Sequence, residues 1–179
     1  MNPQVKKIRE NVLKLRQELW PEVTTEMIWH RKKSDGFITI PRTMPLLMAM
    51  MDTLTKGKPV STTYLELWCR SHDEALLNVA GKEYEYATAS GFSGERAVST
   101  WHARLDVLEK LGFIRMQAGP RGPRSYILLL NPYHVARKLK PKIESFLWNT
   151  FAQRVIEIRA VDMEEAAALE EQKAAAKKK

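Results

Sequence analysis

The sequence predicts a mainly α chain with one small β-hairpin, flanked by extra helices at both ends, and three observations lead there. Apolar residues recur at three- and four-residue steps in several separate stretches, the spacing that gives a helix one buried stripe. From Phe113 to Leu130 that periodicity stops, and two short apolar runs flank Gly119-Pro120-Arg121-Gly122-Pro123-Arg124, which is turn chemistry. Gly112 stands between the two regimes, where a helix ends in the left-handed backbone that glycine adopts without strain.

Taken in order, Val5, Ile8, Val12, Leu15 and Leu19 repeat at steps of 3, 4, 3 and 4, a narrow helical seam that Pro21 closes. At little over two heptads the seam is too short to stand alone, so it requires a covering surface in the same chain or in a second copy. Residues 22–41 hold Trp29, the cations Arg31-Lys32-Lys33 and the turn residues Ser34-Asp35-Gly36; Phe37-Ile38-Thr39-Ile40 is a candidate strand. The methionine-rich run from Arg42 to Thr55 predicts a core helix, since methionine fills irregular gaps.

Ser61 is the expected cap of the next helix, with Leu65, Trp68 and Cys69 inward and Glu66 in an early turn. Leu76 to Val79 predicts a short strand, and Lys82 to Ser90 a brief helix after Gly81. Gly91-Phe92-Ser93-Gly94 supplies a tight turn in which Ser93 is placed to cap a long helix, Glu95 to Leu111, with Val98, Trp101, Leu105 and Leu108 as its stripe. After the hairpin, Asn131-Pro132 ends the last strand and opens a short helix through Leu139. From Lys142, the residues Ile143, Phe146, Leu147, Phe151, Val155 and Ile158 predict a helix of some five turns with a broad apolar face. The implied divisions are an N-terminal helical extension at 1–57, a body at 58–131, C-terminal helices at 132–161 and a low-complexity Ala/Glu/Lys tail at 162–179.

Bulk properties narrow the function. The chain has 179 residues and a net charge of +8. Between Arg96 and Lys142 ten basic residues stand against Asp106 and Glu109 alone, so the whole basic excess is accommodated there, as a polyanion footprint requires. No apolar run is long enough to span a bilayer, the N-terminus lacks a signal-like core, and a single cysteine, Cys69, fits a reducing cytoplasm. Cys69 and His72 lie one helical turn apart, but no second ligand pair accompanies them, so no metal and no cofactor are expected. No phosphate-cradling glycine loop is present, and the four histidines have neither nucleophile nor metalloprotease spacing; no catalytic residue is assigned.

The segment RAVSTWHARLDVLEKLGFI followed by GPRGPRSYILL resembles the winged helix-turn-helix superfamily of DNA-binding proteins, which includes bacterial transcriptional regulators and plasmid replication initiators. The resemblance spans 61–130 and implies that helix 95–111 is a recognition helix and 118–124 the tip of a wing. Asn131-Pro132-Tyr133 is similar to the exit from the wing in some plasmid initiators. The paired aspartate and arginine common in the wing of multidrug-resistance-type regulators is replaced here by Gly119 to Arg124.

A helix in the major groove reads base edges from its N-terminal half. Counting about 100° per residue from Trp101, the outward face carries Arg96, Ser99, Ala103 and Lys110, with Thr100 beside them. Arg96 suits a bidentate pair with guanine, Ser99 and Thr100 can donate or accept, and Ala103 fits a thymine methyl. His102 and Arg104, at the edges, are expected on phosphates, as is Lys110. Arg121 and Arg124 are expected in a narrow minor groove. The expected function is sequence-specific binding of double-stranded DNA, as a transcriptional regulator; a replication initiator of a plasmid or mobile element and a protein-interaction module are the alternatives. A homodimer through the terminal helices is expected, and no membrane partner.

Overall fold

The computed structural model describes residues 3–32 and 35–160; Lys33 and Ser34 of the basic cluster and its turn, and the tail at 162–179, lie outside the described residues. The chain separates between Ile38 and Thr39 into two compact units.

In the first unit, α1 runs Pro3–Leu19 and stops before Trp20-Pro21, as the seam predicts. None of its residues is buried. A short 3-10 turn, Thr25–Met27, follows, and the exposed Trp29 meets Phe37 edge to face at 6.0 Å. The expected strand at Phe37 to Ile40 is absent. Among the described residues no segment offers that stretch a ladder of hydrogen bonds, and an extended segment without a paired edge is not a strand.

The second unit is built from α2 (Met44–Leu54), α3 (Ser61–Arg70), β1 (Leu76–Asn78), α4 (Glu83–Ala89), α5 (Ala97–Leu111), β2 (Ile114–Gly119), β3 (Gly122–Leu129), α6 (Pro132–Leu139) and α7 (Ser145–Ile158). It is mainly helical, with a three-stranded antiparallel sheet in the order β1-β3-β2. Leu77 pairs with Ile127 and Met116 pairs with the same residue from the other side, so β3 is the central strand. Inward positions alternate along it as Ser125, Ile127 and Leu129, the period of two that one-sided burial dictates.

One core joins the helices to the sheet. Trp101, Leu105 and Leu108 of α5 pack with Tyr64 and Leu67 of α3, Phe113, Ile114 and Ile127, all essentially without solvent access. The same core takes in Leu47, Met50 and Met51 of α2, so α2 belongs to this unit and the division falls after 38 rather than after 57. Tyr133, Val135, Ala136 and Leu139 of α6 and Phe151 and Val155 of α7 also contribute; the C-terminal helices are part of the core.

Two caps differ from expectation. Ser61 is not an N-cap but the first residue of α3, and the cap is supplied at a distance: one Asp52 carboxylate oxygen accepts from the amides of Val60 (2.8 Å) and Ser61 (3.0 Å), and the other from the Ser61 hydroxyl (2.6 Å). A charged carboxylate at a helix N-terminus binds more strongly than a serine hydroxyl, and Ser61 is thereby turned inward. Similarly, α5 begins at Ala97 with Arg96 in the cap position and no side-chain cap; Ser93 lies too far upstream to reach the free amides, because Gly94 to Arg96 form an intervening turn. On α3 the inward residues are Tyr64 and Leu67; Leu65 and Trp68 are half-buried and Cys69 is exposed.

The last helix also differs. α7 has 14 residues, about four turns, and its buried residues are Phe151 and Val155, with Leu147 and Trp148 packed beside them. Phe146, expected inward, is 83% exposed. It sits five residues before Phe151, about 140° away around the helix, and so points away from the core.

Candidate functional site

α5 and the β2–β3 hairpin, with the Arg96 that precedes α5, carry the predicted residues. Burial of Ala97, Trp101, Leu105 and Leu108 fixes the roll of α5, which leaves Arg96, Ser99, Ala103, Asp106 and Lys110 exposed and Thr100 half-buried. Trp101 is held by Tyr86, whose ring lies 5.5 Å away. At the C-terminal end Gly112 takes φ +92°, and its amide donates to the carbonyls of Leu108 (3.0 Å) and Glu109 (2.9 Å), so the chain turns sharply into β2.

The hairpin is fastened to α5 by the two acids that oppose the basic excess. Glu109 accepts from the Met116 amide of β2 at 2.7 Å. One turn earlier, Asp106 accepts from Arg124 of β3 through Nε (3.0 Å) and Nη2 (2.8 Å to one carboxylate oxygen, 2.9 Å to the other). Each strand of the hairpin is thus tied to the helix once, and Arg124 is directed to a carboxylate of its own chain rather than to the tip.

The tip itself is tight. Gly119 pairs with Gly122, which makes Pro120-Arg121 a two-residue turn, and between this pair and Gln117–Tyr126 the single residue Ala118 of β2 stands opposite Pro123, Arg124 and Ser125, so β3 bulges there. A side chain at Gly119 is excluded by space, since a Cβ there would lie 2.7 Å from both Ser125 Cβ and Tyr126 Cε2. Arg121 is exposed, and its Nη1 lies 3.1 Å from where a Cβ on Gly81 would stand, so the side chain folds back toward the corner between β1 and α4. An open pocket of about 440 Å³ lies there, lined by Asn78, Ala80, Lys82, Pro120, Arg121, Ser125 and Tyr126. Lys82 therefore lines the same pocket as Arg121 of the hairpin tip, a juxtaposition across 39 residues that no local sequence signal reveals.

The two edge residues of α5 have their own surroundings. Arg104 is half-buried: its guanidinium lies over the Phe92 ring at 5.8 Å from the centroid, and its Nε is buried without a hydrogen-bond partner. His102 is half-buried beside Trp101, with ring centroids 5.4 Å apart. Burial, and then the positive charge of Arg124, pushes its pKa below the usual histidine range, against smaller opposing effects of Glu83 and Asp106. His102 is therefore a neutral imidazole at pH 7. Ser99 donates to the Arg96 carbonyl at 2.9 Å, so its oxygen remains an acceptor toward solvent.

Among the described residues no three His, Cys, Asp or Glu side chains gather as metal ligands, and no helix is long and apolar enough to cross a membrane. No family model matches the chain, nor does any curated protein or solved structure.

Proposed function

We propose that the second unit is a winged helix that binds double-stranded DNA in a sequence-dependent way, as a transcriptional regulator. The observation that carries this reading is the exposed face of α5, with Arg96 at its cap and Ser99 and Ala103 in its first turns, standing beside a hairpin fastened to the same helix through Asp106 and Glu109. A helix of this width fits the major groove, and a hairpin at its side reaches the adjacent backbone or minor groove. Arg96 then reads guanine, Ser99 and Thr100 make adaptable polar contacts, and Ala103 admits a thymine methyl. Arg121, with Lys82 behind it, contacts the backbone. Lys110 and Arg104 add charge at the margins; His102, being neutral, contributes a hydrogen bond rather than a charge.

Selection of bound sequences from random duplex DNA, followed by a footprint and a salt titration, tests the reading. Enrichment of one motif with an affinity that falls steeply with salt is expected. A single palindrome supports a regulator, and an array of direct repeats a replication initiator. No enrichment overturns sequence-specific reading, and a salt slope near zero overturns DNA binding in favour of a protein-interaction module. Within the bound complex, Arg96→Ala relaxes preference at one base position by about 1–3 kcal/mol, whereas Arg121→Ala weakens binding to all sequences and lowers the salt slope by about 1.

A further inference from the structure

We infer that the pocket between the hairpin tip and the corner joining β1 to α4 holds a nucleoside monophosphate, and that its occupancy loosens the grip of the second unit on DNA. The site stands on its own geometry; the consequence for DNA rests on the function proposed above. Its walls come from β1, the corner, the tip and β3, all within the second unit. Its volume, about 440 Å³, falls in the range of about 300–1,000 Å³ typical of small-molecule sites. A single tetrahedral ion leaves most of that space unfilled.

Charge selects the phosphate. Lys82 and Arg121 are the only charged residues of the lining, and among the described residues neither has a carboxylate partner. The Gly81 amide donates to Glu83 Oε1 at 3.1 Å, so the nearest acid in sequence is engaged with its own backbone and does not line the pocket. Two cations on one concave space match the charge of about −1.5 to −2 that a phosphate monoester carries at pH 7, more closely than the single charge of a backbone phosphodiester. Arg121 offers a planar fork for paired phosphate oxygens and Lys82 a point charge. The fork is already drawn into the corner, with Nη1 3.1 Å from where a Cβ on Gly81 would stand.

The rest of the lining suits a sugar and a ring. Asn78 Oδ1 accepts from the Ala80 amide at 3.2 Å, which leaves its N–H groups as donors. Ser125, only 3% exposed, donates its hydroxyl to the Gly122 carbonyl at 2.8 Å, which leaves its oxygen to accept from a ribose hydroxyl. The Tyr126 ring stands beside the tip, its Cε2 2.7 Å from where a Cβ on Gly119 would lie, and with Pro120 it supplies an apolar wall. Stacking on an aromatic ring tolerates every base. Lys82 and Arg121 are also the cations assigned above to the DNA backbone. A monophosphate that neutralises both therefore competes with DNA, and each ligand weakens the other by the same factor.

Calorimetric titration of the full chain with AMP, GMP, CMP and UMP, in parallel with inorganic phosphate and with the matching nucleosides, tests the site. At least one of the four is expected to bind with a micromolar Kd, at least about tenfold tighter than inorganic phosphate and than its own nucleoside. Arg121→Ala and Lys82→Ala, both at exposed positions, each weaken it at least about tenfold with the thermal melt unchanged; Lys138→Ala, the same loss of charge on an exposed residue of α6, leaves it unchanged. Tyr126→Val keeps strand propensity and narrows the gap between nucleotide and inorganic phosphate. The inference is overturned if none of the four binds below about 1 mM, if inorganic phosphate binds as tightly, if either cation variant binds like the natural chain, or if Lys138→Ala costs as much as they do. On duplex DNA of random sequence, a saturating monophosphate is expected to lower affinity at least about threefold, an effect that Arg121→Ala abolishes; an unchanged affinity overturns the loosening. A chain that binds the monophosphate but no DNA keeps the site and removes the proposed function, and the reverse result removes the site and keeps that function.

Discussion

Asp52 bears structural weight in the second unit, because it satisfies two amides at the start of α3 and a buried hydroxyl together. Asp52→Ala leaves the Ser61 hydroxyl, in a residue only 7% exposed, without its acceptor, and is expected to lower stability by about 2 kcal/mol. Asp52→Asn, which keeps one acceptor oxygen, is expected to lose less; urea unfolding of the two variants measures the difference. His102 gives a second residue-scale prediction, this one in pH. Its folded pKa lies below its unfolded value, so the folded state binds fewer protons through the interval between them. Stability contributed by this site is therefore complete above about pH 6.5 and falls as the pH drops through the unfolded pKa toward the folded one. His102→Gln removes the titration, and the gap between the variant and the natural chain in thermal midpoint, followed from pH 7.5 to 5.5, should shift in favour of the variant. A gap that stays constant over that interval contradicts the assignment.

At the scale of elements, the attachment of the hairpin to α5 decides both what was legible and what was not. The bond from Asp106 to Arg124 is bidentate, but the two side chains retain 50% and 33% exposure, so a double-mutant cycle on stability should give a coupling of only about 0.5–1 kcal/mol. Its effect on binding is larger in kind. If the proposed DNA contact is correct, Asp106→Asn releases Arg124 toward phosphate, raising the salt slope by about 0.9 and strengthening non-specific binding more than specific binding. The helices of this region follow from apolar spacing and from Gly112, and the hairpin follows from Gly119 to Gly122, because both signals act within a few residues. The bond between Asp106 and Arg124 spans 18 residues and depends on the bulge of β3 at Pro123 to Ser125 and the pairing of Gly119 with Gly122, which no periodicity encodes. The same limit explains the caps. Ser61 and Ser93 have the right chemistry in nearly the right place, but whether a serine or a distant carboxylate reaches the free amides is settled by tertiary packing. Phe37 to Ile40 has strand composition without a partner strand, and a strand is a property of the pair. On α7 the apolar run is wider than the stripe the core accepts, so spacing alone left Phe146 on the wrong side.

For the whole molecule, the core that reaches from α2 to α7 sets what can be separated. The resemblance to a winged helix covers 61–130, which invites treating that segment as a domain with appendages. The packing argues otherwise. Tyr133 of α6 lies 6.0 Å from Phe151 of α7 and hydrogen-bonds through its hydroxyl with Thr43 just before α2, at 2.9 Å, so the segments that flank the resemblance meet one another in the interior. Met44, Leu47, Met50 and Met51 are all at or below 1% exposure there. A chain ended after Leu130 loses Tyr133, Val135, Ala136, Leu139, Phe151 and Val155 from that core and exposes to water the apolar surfaces they cover, at about 1.5–3 kcal/mol for each large apolar side chain so uncovered. The loss is of the same order as the whole 5–15 kcal/mol stability typical of a domain. Residues 39–130 are therefore expected to give a broad, non-cooperative melt and to aggregate, whereas residues 39–160 retain a single sigmoidal transition seen alike by tryptophan fluorescence and circular dichroism. Phe151→Ala within the longer piece tests the same point more gently: it should lower stability by about 3–5 kcal/mol while leaving that transition two-state, because Phe151 belongs to the one core rather than to a separable C-terminal module.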